Sequence, residues 1–198
     1  MRSLPTSPVT SIFTAGSLAN WLGVDPVSEA STLTLLESTA TEAIIQYLEF
    51  ELLSRDRVAI WQDWPTVGTD SSPSLSPADF DYLRFVELPF SGSIGTVASV
   101  EIYGEATAEY TLINNGVMML DLGTHIANND SGQPAIKVLY TTASYANEAS
   151  VLAPIKSAAL LLASYLYEHR GECSVDDAMK TSGAAMMLYP YKRNGVVL

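Results

Sequence analysis

Leu33, Leu36, Ala40, Ile44, Tyr47 and Leu48 follow one another at three- and four-residue spacing, which lays a single apolar stripe along a helix. Asp25-Pro26 supplies a capping side chain followed by proline at a first helical position, and nothing breaks the pattern before Leu53. The spacing therefore predicts a helix over about 26–54, roughly 40 Å long at 1.5 Å per residue. A second helix is predicted over about 154–170, opened by Pro154 and stopped at Gly171. There Leu160, Leu161, Leu162, Tyr165, Leu166 and Tyr167 cover most of the circumference, as in a helix buried on several sides. Ser17–Leu22 and Val175–Thr181 suit shorter helices.

Between the two long helices the period changes. Val58–Trp61, Leu83–Leu88, Thr96–Tyr103, Ala108–Ile113, Val117–Leu120 and Ala135–Tyr140 are short runs rich in β-branched and aromatic residues, divided by Pro, Gly, Asn and Ser. Asn115-Gly116 between two of these runs is a hairpin signal. The expected architecture is α+β in one domain over 1–198. An antiparallel pair of helices (about 26–54 and 154–170) would carry an inserted antiparallel β region (about 57–141) of some six strands. Residues 1–16, rich in Ser, Thr and Pro, read as an extended arm, and 183–198 as a second, C-terminal one.

Composition narrows the function. Forty-seven per cent of residues are hydrophobic, which is enough for a packed core. The longest purely apolar run, Ala158–Ala163, is far below the roughly 20 residues of a membrane span. The formal charge is −12 although only 16% of residues are charged, so much of the surface is uncharged and suited to burial in an assembly. A protein that grips nucleic acid is normally basic, because affinity comes from neutralising phosphates. One cysteine (Cys173) and two histidines (His125, His169) offer neither a disulfide nor a zinc site, nor a nucleophile beside a base. No catalytic residue, metal ligand or cofactor site is expected. His169 suits the polar end of its helix. Asn128-Asn129-Asp130-Ser131-Gly132 lacks the spaced ligands of a calcium loop and reads as a turn. Trp61 and Trp64 suit either strand packing or an aromatic platform for sugars or bases.

Four ordered pieces resemble a known family. The first is Trp21-Leu22-Gly23-Val24-Asp25 followed by the long helix with Glu42, Ala43, Ile44, Tyr47 and Leu48. The second is Trp61-Gln62-Asp63-Trp64-Pro65. The third is Leu88-Pro89-Phe90, then Val97–Val100 with Ile102-Tyr103, and Ile136–Tyr140. The fourth is Ala153-Pro154-Ile155-Lys156 with Tyr167–Arg170, and later Leu188–Arg193. Together they resemble the phage head–tail connector proteins of the HK97 adaptor type, in the larger branch with a β insertion. The resemblance implies a non-enzymatic structural protein at the head–tail interface of a virion, made in the host cytoplasm. It implies a ring of identical subunits, commonly twelve, on the portal protein. Genome DNA would pass through without specific binding, and a tail or stopper protein would dock on the far side. No membrane and no cofactor are implied.

The charge pattern fits such a ring. Six acidic residues and no Lys or Arg lie between Asp25 and Glu51. Glu29, Glu37, Glu42 and Glu49 are candidates for a channel wall that repels phosphate; the alternative is a solvated outer face. Ala178–Leu198 carries Lys180, Lys192 and Arg193 and no carboxylate side chain. Met186, Met187, Leu188, Tyr189, Tyr191, Lys192 and Arg193 are candidates for docking on the portal or a neighbour; the alternative is a frayed end. Three rival functions are an acidic DNA mimic that inhibits a nuclease, for which the charge is sparse, a glycan- or small-molecule-binding β module built on Trp61 and Trp64, and an enzyme, for which no site is visible.

Overall fold

The computed structural model describes residues 1–63, 83–92, 94–113, 116–121 and 132–193. The chain divides into two compact units, one formed by 1–6 and 56–142, the other by 7–55 and 143–198.

Among the described residues the regular elements of the first unit are strands. Strands β1 (Arg2–Pro5), β2 (Arg55–Trp61), β3 (Leu83–Glu87), β4 (Ile94–Ile102), β5 (Glu105–Thr107), β6 (Tyr110–Ile113), β7 (Val117–Asp121) and β8 (Ile136–Ala143) form two sheets. Five strands run in the order β1-β2-β8-β4-β5, and three in the order β3-β7-β6. Met118 and Leu120 of the smaller sheet share a core with Ala59, Trp61, Val100, Ile102 and Val138 of the larger one. The β6–β7 hairpin, expected from the Asn-Gly signal, pairs Ile113 with Val117. Cross-strand polar pairs help fix the order of the larger sheet. Lys137 of β8 reaches Glu101 of β4 at 3.0 Å, and the Thr141 hydroxyl donates to Asp56 of β2 at 2.6 Å.

Two strands escaped the pattern reading. Arg2–Pro5 is not a free arm: it pairs antiparallel with β2, Ser3 opposite Ala59. Its four residues hold one apolar side chain, Leu4, so no alternation is visible, and only the ladder of β2 makes it a strand. Strand β5 is three residues long and forms by folding back on β4 through Gly104 at φ 84°. The face of β2 is also unexpected. Arg55, Arg57, Ala59 and Trp61 point inward, while Val58 and Ile60 are only half covered. Arg57 is accommodated because its guanidinium lies 3.9 Å from the centre of the Phe90 ring and 3.4 Å from the Ser3 hydroxyl.

The second unit is helical: α1 (Ser17–Leu22), α2 (Ala30–Leu48), α3 (Ala153–Glu168), α4 (Val175–Thr181) and α5 (Ala184–Leu188). Helix α3 touches all four others and buries Ile155, Ala158, Ala159, Leu162 and Ala163, so its apolar circumference is used from several sides. Helix α2 buries Leu33, Ala40, Ile44, Ile45 and Leu48. It is shorter than 26–54 at both ends. Asp25 caps a separate turn, accepting from the backbone N–H groups of Val27 and Ser28, so α2 starts at Ala30. At the other end Glu49 turns left-handed at φ 64°, and the Arg193 N–H takes the Leu48 carbonyl. The chain then buries Leu52 and Leu53. Burial of two leucines outweighs two further turns of exposed helix.

Residues 184–191 of the expected C-terminal arm are not extended. Residues 184–188 form α5, whose Ala184 and Leu188 are fully buried against the unit, and 189–191 continue as a 3₁₀ turn. Two apolar side chains one turn apart are enough to bind this stretch down once α3 offers a surface.

Gly116 gives a test of the β unit. Its φ is 92°, and a Cβ there would lie 2.1 Å from the Ser91 side chain. Gly116→Ala is expected to cost about 1–3 kcal/mol from backbone strain alone, read as a lower denaturant midpoint. An unchanged midpoint would show that the hairpin does not pack on Ser91.

Candidate docking surface of the helical unit

Ser38, Thr39 and Ala43 are small, so the face of α2 that carries them is hollow. Against it stand Val175, Asp176 and Met179 of α4, with Val9 and Lys192 completing the walls of a groove of about 720 Å³. Tyr47 also lines it, its hydroxyl donating to the Ala185 carbonyl at 3.1 Å. Helix α4 is held in place by Ser174, whose hydroxyl accepts from the Asp177 N–H while Asp176 and Asp177 sit favourably in the first turn.

The charges around the groove are matched within the chain. Arg55 donates from Nη1 to Glu42 at 2.6 Å and lies 3.5 Å from Glu51, while its Nε donates to the Ser7 carbonyl at 3.0 Å. Arg55 is 7% and Glu51 1% exposed, so this pair is buried. Gln46 donates to the other Glu42 oxygen at 3.1 Å. Lys192 reaches Glu49 at 3.3 Å and lies over the Tyr47 ring at 5.5 Å.

The four carboxylates expected on a channel wall are therefore not a free anionic stripe. Glu29 is 3.7 Å from Arg170, Glu42 is held by Arg55 and Glu49 by Lys192. Glu37 instead accepts from the Ser11 hydroxyl at 3.4 Å, and its partial burial raises its carboxyl above the ordinary carboxylate range. All three cations come from residues outside α2, so reading the helix alone could not find them.

The seven tail candidates are separated by the fold. Leu188 belongs to the core of the unit, and Lys192 is ion-paired. Met187, Tyr191 and Arg193 are half-buried. Met186 and Tyr189 stand out at 83% and 71% exposed, three residues apart on one side.

Trp61 is buried among the strands and offers no platform; Trp64, His125 and residues 128–131 lie outside the described residues. His169 caps α3, its N–H donating to the Tyr165 carbonyl and its ring stacked on Tyr165 at 4.0 Å. Among the described residues no cluster of three His, Cys, Asp or Glu side chains could hold a metal ion, and no helix is long and apolar enough to cross a membrane. Sequence reasoning missed Arg55, Glu51, Val9, Val175 and Met179. The one available signal was the run of small residues at 38, 39 and 43 on an otherwise amphipathic helix.

A chain in the neck of an empty GTA particle, computed with C6 symmetry, superposes with a TM-score of 0.60 at 16% identity, over 92% of this chain and 95% of that one. A chain in the virion of a native gene transfer agent (GTA) particle gives 0.56 at 16% identity, over 91% and 94%. A chain in the neck of a native GTA particle with C12 symmetry gives 0.51 at 16% identity, over 92% and 94%. The protein thus has the fold of these particle chains along nearly its whole length. No protein-family model and no curated protein matches it.

Two outcomes follow from the buried charges. Arg55→Met leaves Glu51 without its guanidinium and is expected to cost about 3–5 kcal/mol; adding Glu51→Leu should restore much of that loss in denaturant unfolding. A single variant as stable as the wild type would show that the pair is not buried. For Glu37 the sign runs the other way from most carboxylates. Its folded-state pKa is raised, so its contribution is present while it is protonated and is lost as pH rises through the folded value. Glu37→Gln, which still accepts from Ser11, should raise the Tm at pH 7 and change it little at pH 4. Equal shifts at both pH values would contradict the desolvation of this carboxyl.

Proposed function

We propose that the protein is a structural subunit of the neck of a phage-like particle, a head-to-tail adaptor whose ring continues the portal's channel and receives a tail or stopper protein. The observation that carries this reading is the fold shared end to end with chains of GTA particles, two of them from necks treated with sixfold and twelvefold symmetry. The ordered motifs resembling the connector family point the same way. The protein then resides at the head–tail interface of the particle and performs no catalysis.

DNA passes through such a ring without being held. In this reading Glu29, Glu37, Glu42 and Glu49 are assigned to the wall of the passage. Because three of them are ion-paired, the repulsion of phosphate rests on the −12 charge of the whole chain rather than on one stripe. Met186 and Tyr189 are assigned as the anchors toward the portal, since both stand exposed. The rival readings lose their footing here. A DNA mimic needs densely spaced carboxylates, whereas only 16% of residues here are charged, and a glycan module on this strand needs an exposed Trp61.

The test is assembly without the chain. Particles produced in its absence should accumulate as heads and tails that do not join, with the neck layer missing in electron micrographs. Joined particles with a complete neck would overturn the proposal. Removing 184–198 would strip Ala184 and Leu188 from the core, so Met186→Asp with Tyr189→Asp is the cleaner probe of portal docking. The folded variant should fail to enter particles.

A further inference from the structure

An apolar groove open to water is unfavourable, and the chain tethered beside it is the first that can fill it. We propose that the α2–α4 groove receives the chain's own residues 194–198, so that in the free subunit its apolar walls are covered from within. This goes beyond the neck reading and does not depend on it.

The ground for it is where residue 193 stands. Lys192 is itself a wall of the groove, held there by Glu49 at 3.3 Å and lying over the ring of the lining Tyr47. The Arg193 N–H donates to the Leu48 carbonyl at 3.1 Å, one residue beyond Tyr47. Residue 194 therefore starts at the rim, at the end of the groove where α2 stops. From Tyr47 back to Ser38 the lining follows α2 for about 14 Å at 1.5 Å per residue. A five-residue stretch reaches about 17 Å when extended. The segment is long enough to run the groove and too short to pass far beyond it.

The tether selects this occupant over other exposed apolar groups. A short link at the rim presents the segment at an effective concentration of about 1 mM, with no second molecule to immobilise. A contact of only about 0.1 mM affinity then keeps the groove filled roughly nine-tenths of the time. No side chain of another copy has that advantage.

The chemistry of the walls agrees. Val9, Ala43, Tyr47, Val175 and Met179 give an apolar lining, and Val196, Val197 and Leu198 bring aliphatic groups to it. The polar part of the lining is acidic. Glu42 is held by Arg55, whereas Asp176 has no cation within ion-pair distance among the described residues. An occupant must bring no carboxylate side chain to Asp176 and should offer it a donor. Residues 194–198 carry no charged side chain, and their backbone N–H groups and the Asn194 amide are donors.

The test times a thiol on the groove wall. In a Cys173→Ser background, Val175→Cys places it at an exposed lining position. Reaction with a maleimide is followed in the full chain, in a chain ending at Arg193, and in the full chain carrying Val196→Asp and Val197→Asp. The full chain should react about tenfold more slowly than the other two, at every protein concentration. Lys180→Cys, exposed on α4 outside the groove, is the control and should react equally in all three. Equal rates at Val175→Cys would overturn the proposal. So would a parallel rise at Lys180→Cys, which reports loosening of α4 rather than uncovering of the groove. Protection that grows with protein concentration would assign the groove to a segment of another copy and overturn the same-chain contact. The neck reading stands or falls separately, on particle assembly.

Discussion

The helical unit is tied together by one buried guanidinium. Arg55 stands where the chain leaves this unit, and it reaches the Ser7 carbonyl near one end of the first stretch, Glu42 in the middle of α2 and Glu51 just beyond it. A buried cation must find partners in three dimensions, so its position fixes how the N-terminal segment, α2 and the chain after α2 lie together. The end of α2 follows from the same constraint. Once Glu49 turns left-handed, Leu52 and Leu53 enter the core and Glu51 faces Arg55.

Around that anchor the unit is organised by α3. Its small residues Ala158, Ala159 and Ala163 let neighbours approach closely, and α1, α2, α4 and α5 all touch it. This explains why short helices such as α4 and α5, too short to be stable alone, are ordered here. It also explains the groove: α4 is held by α3 and α5 alongside α2, and the small side chains of α2 leave the space between them unfilled.

The β unit follows a different logic. Its two sheets share one apolar core, and its edges are short or polar, with β1 carrying Arg2, Ser3 and Pro5 and β5 only three residues long. Such edges resist uncontrolled pairing between copies.

The sequence by itself determined the order and type of the main elements, because their causes are local. The apolar stripe from Leu33 to Leu48, the all-round apolar run before Gly171 and the Asn-Gly turn ahead of Val117 each carry their own period or turn chemistry. It also excluded a zinc or disulfide framework by count. Tertiary structure decided everything whose cause lies far along the chain. Arg2–Pro5 is a strand because β2 is there to pair with, and 184–188 is a helix because α3 gives Leu188 a place to be buried. The acidic face of α2 was legible as residues but not as charge, since Arg170, Arg55 and Lys192 reach it from elsewhere. The groove was hidden for the same reason: a hollow on one helix becomes a site only when a second helix is set against it.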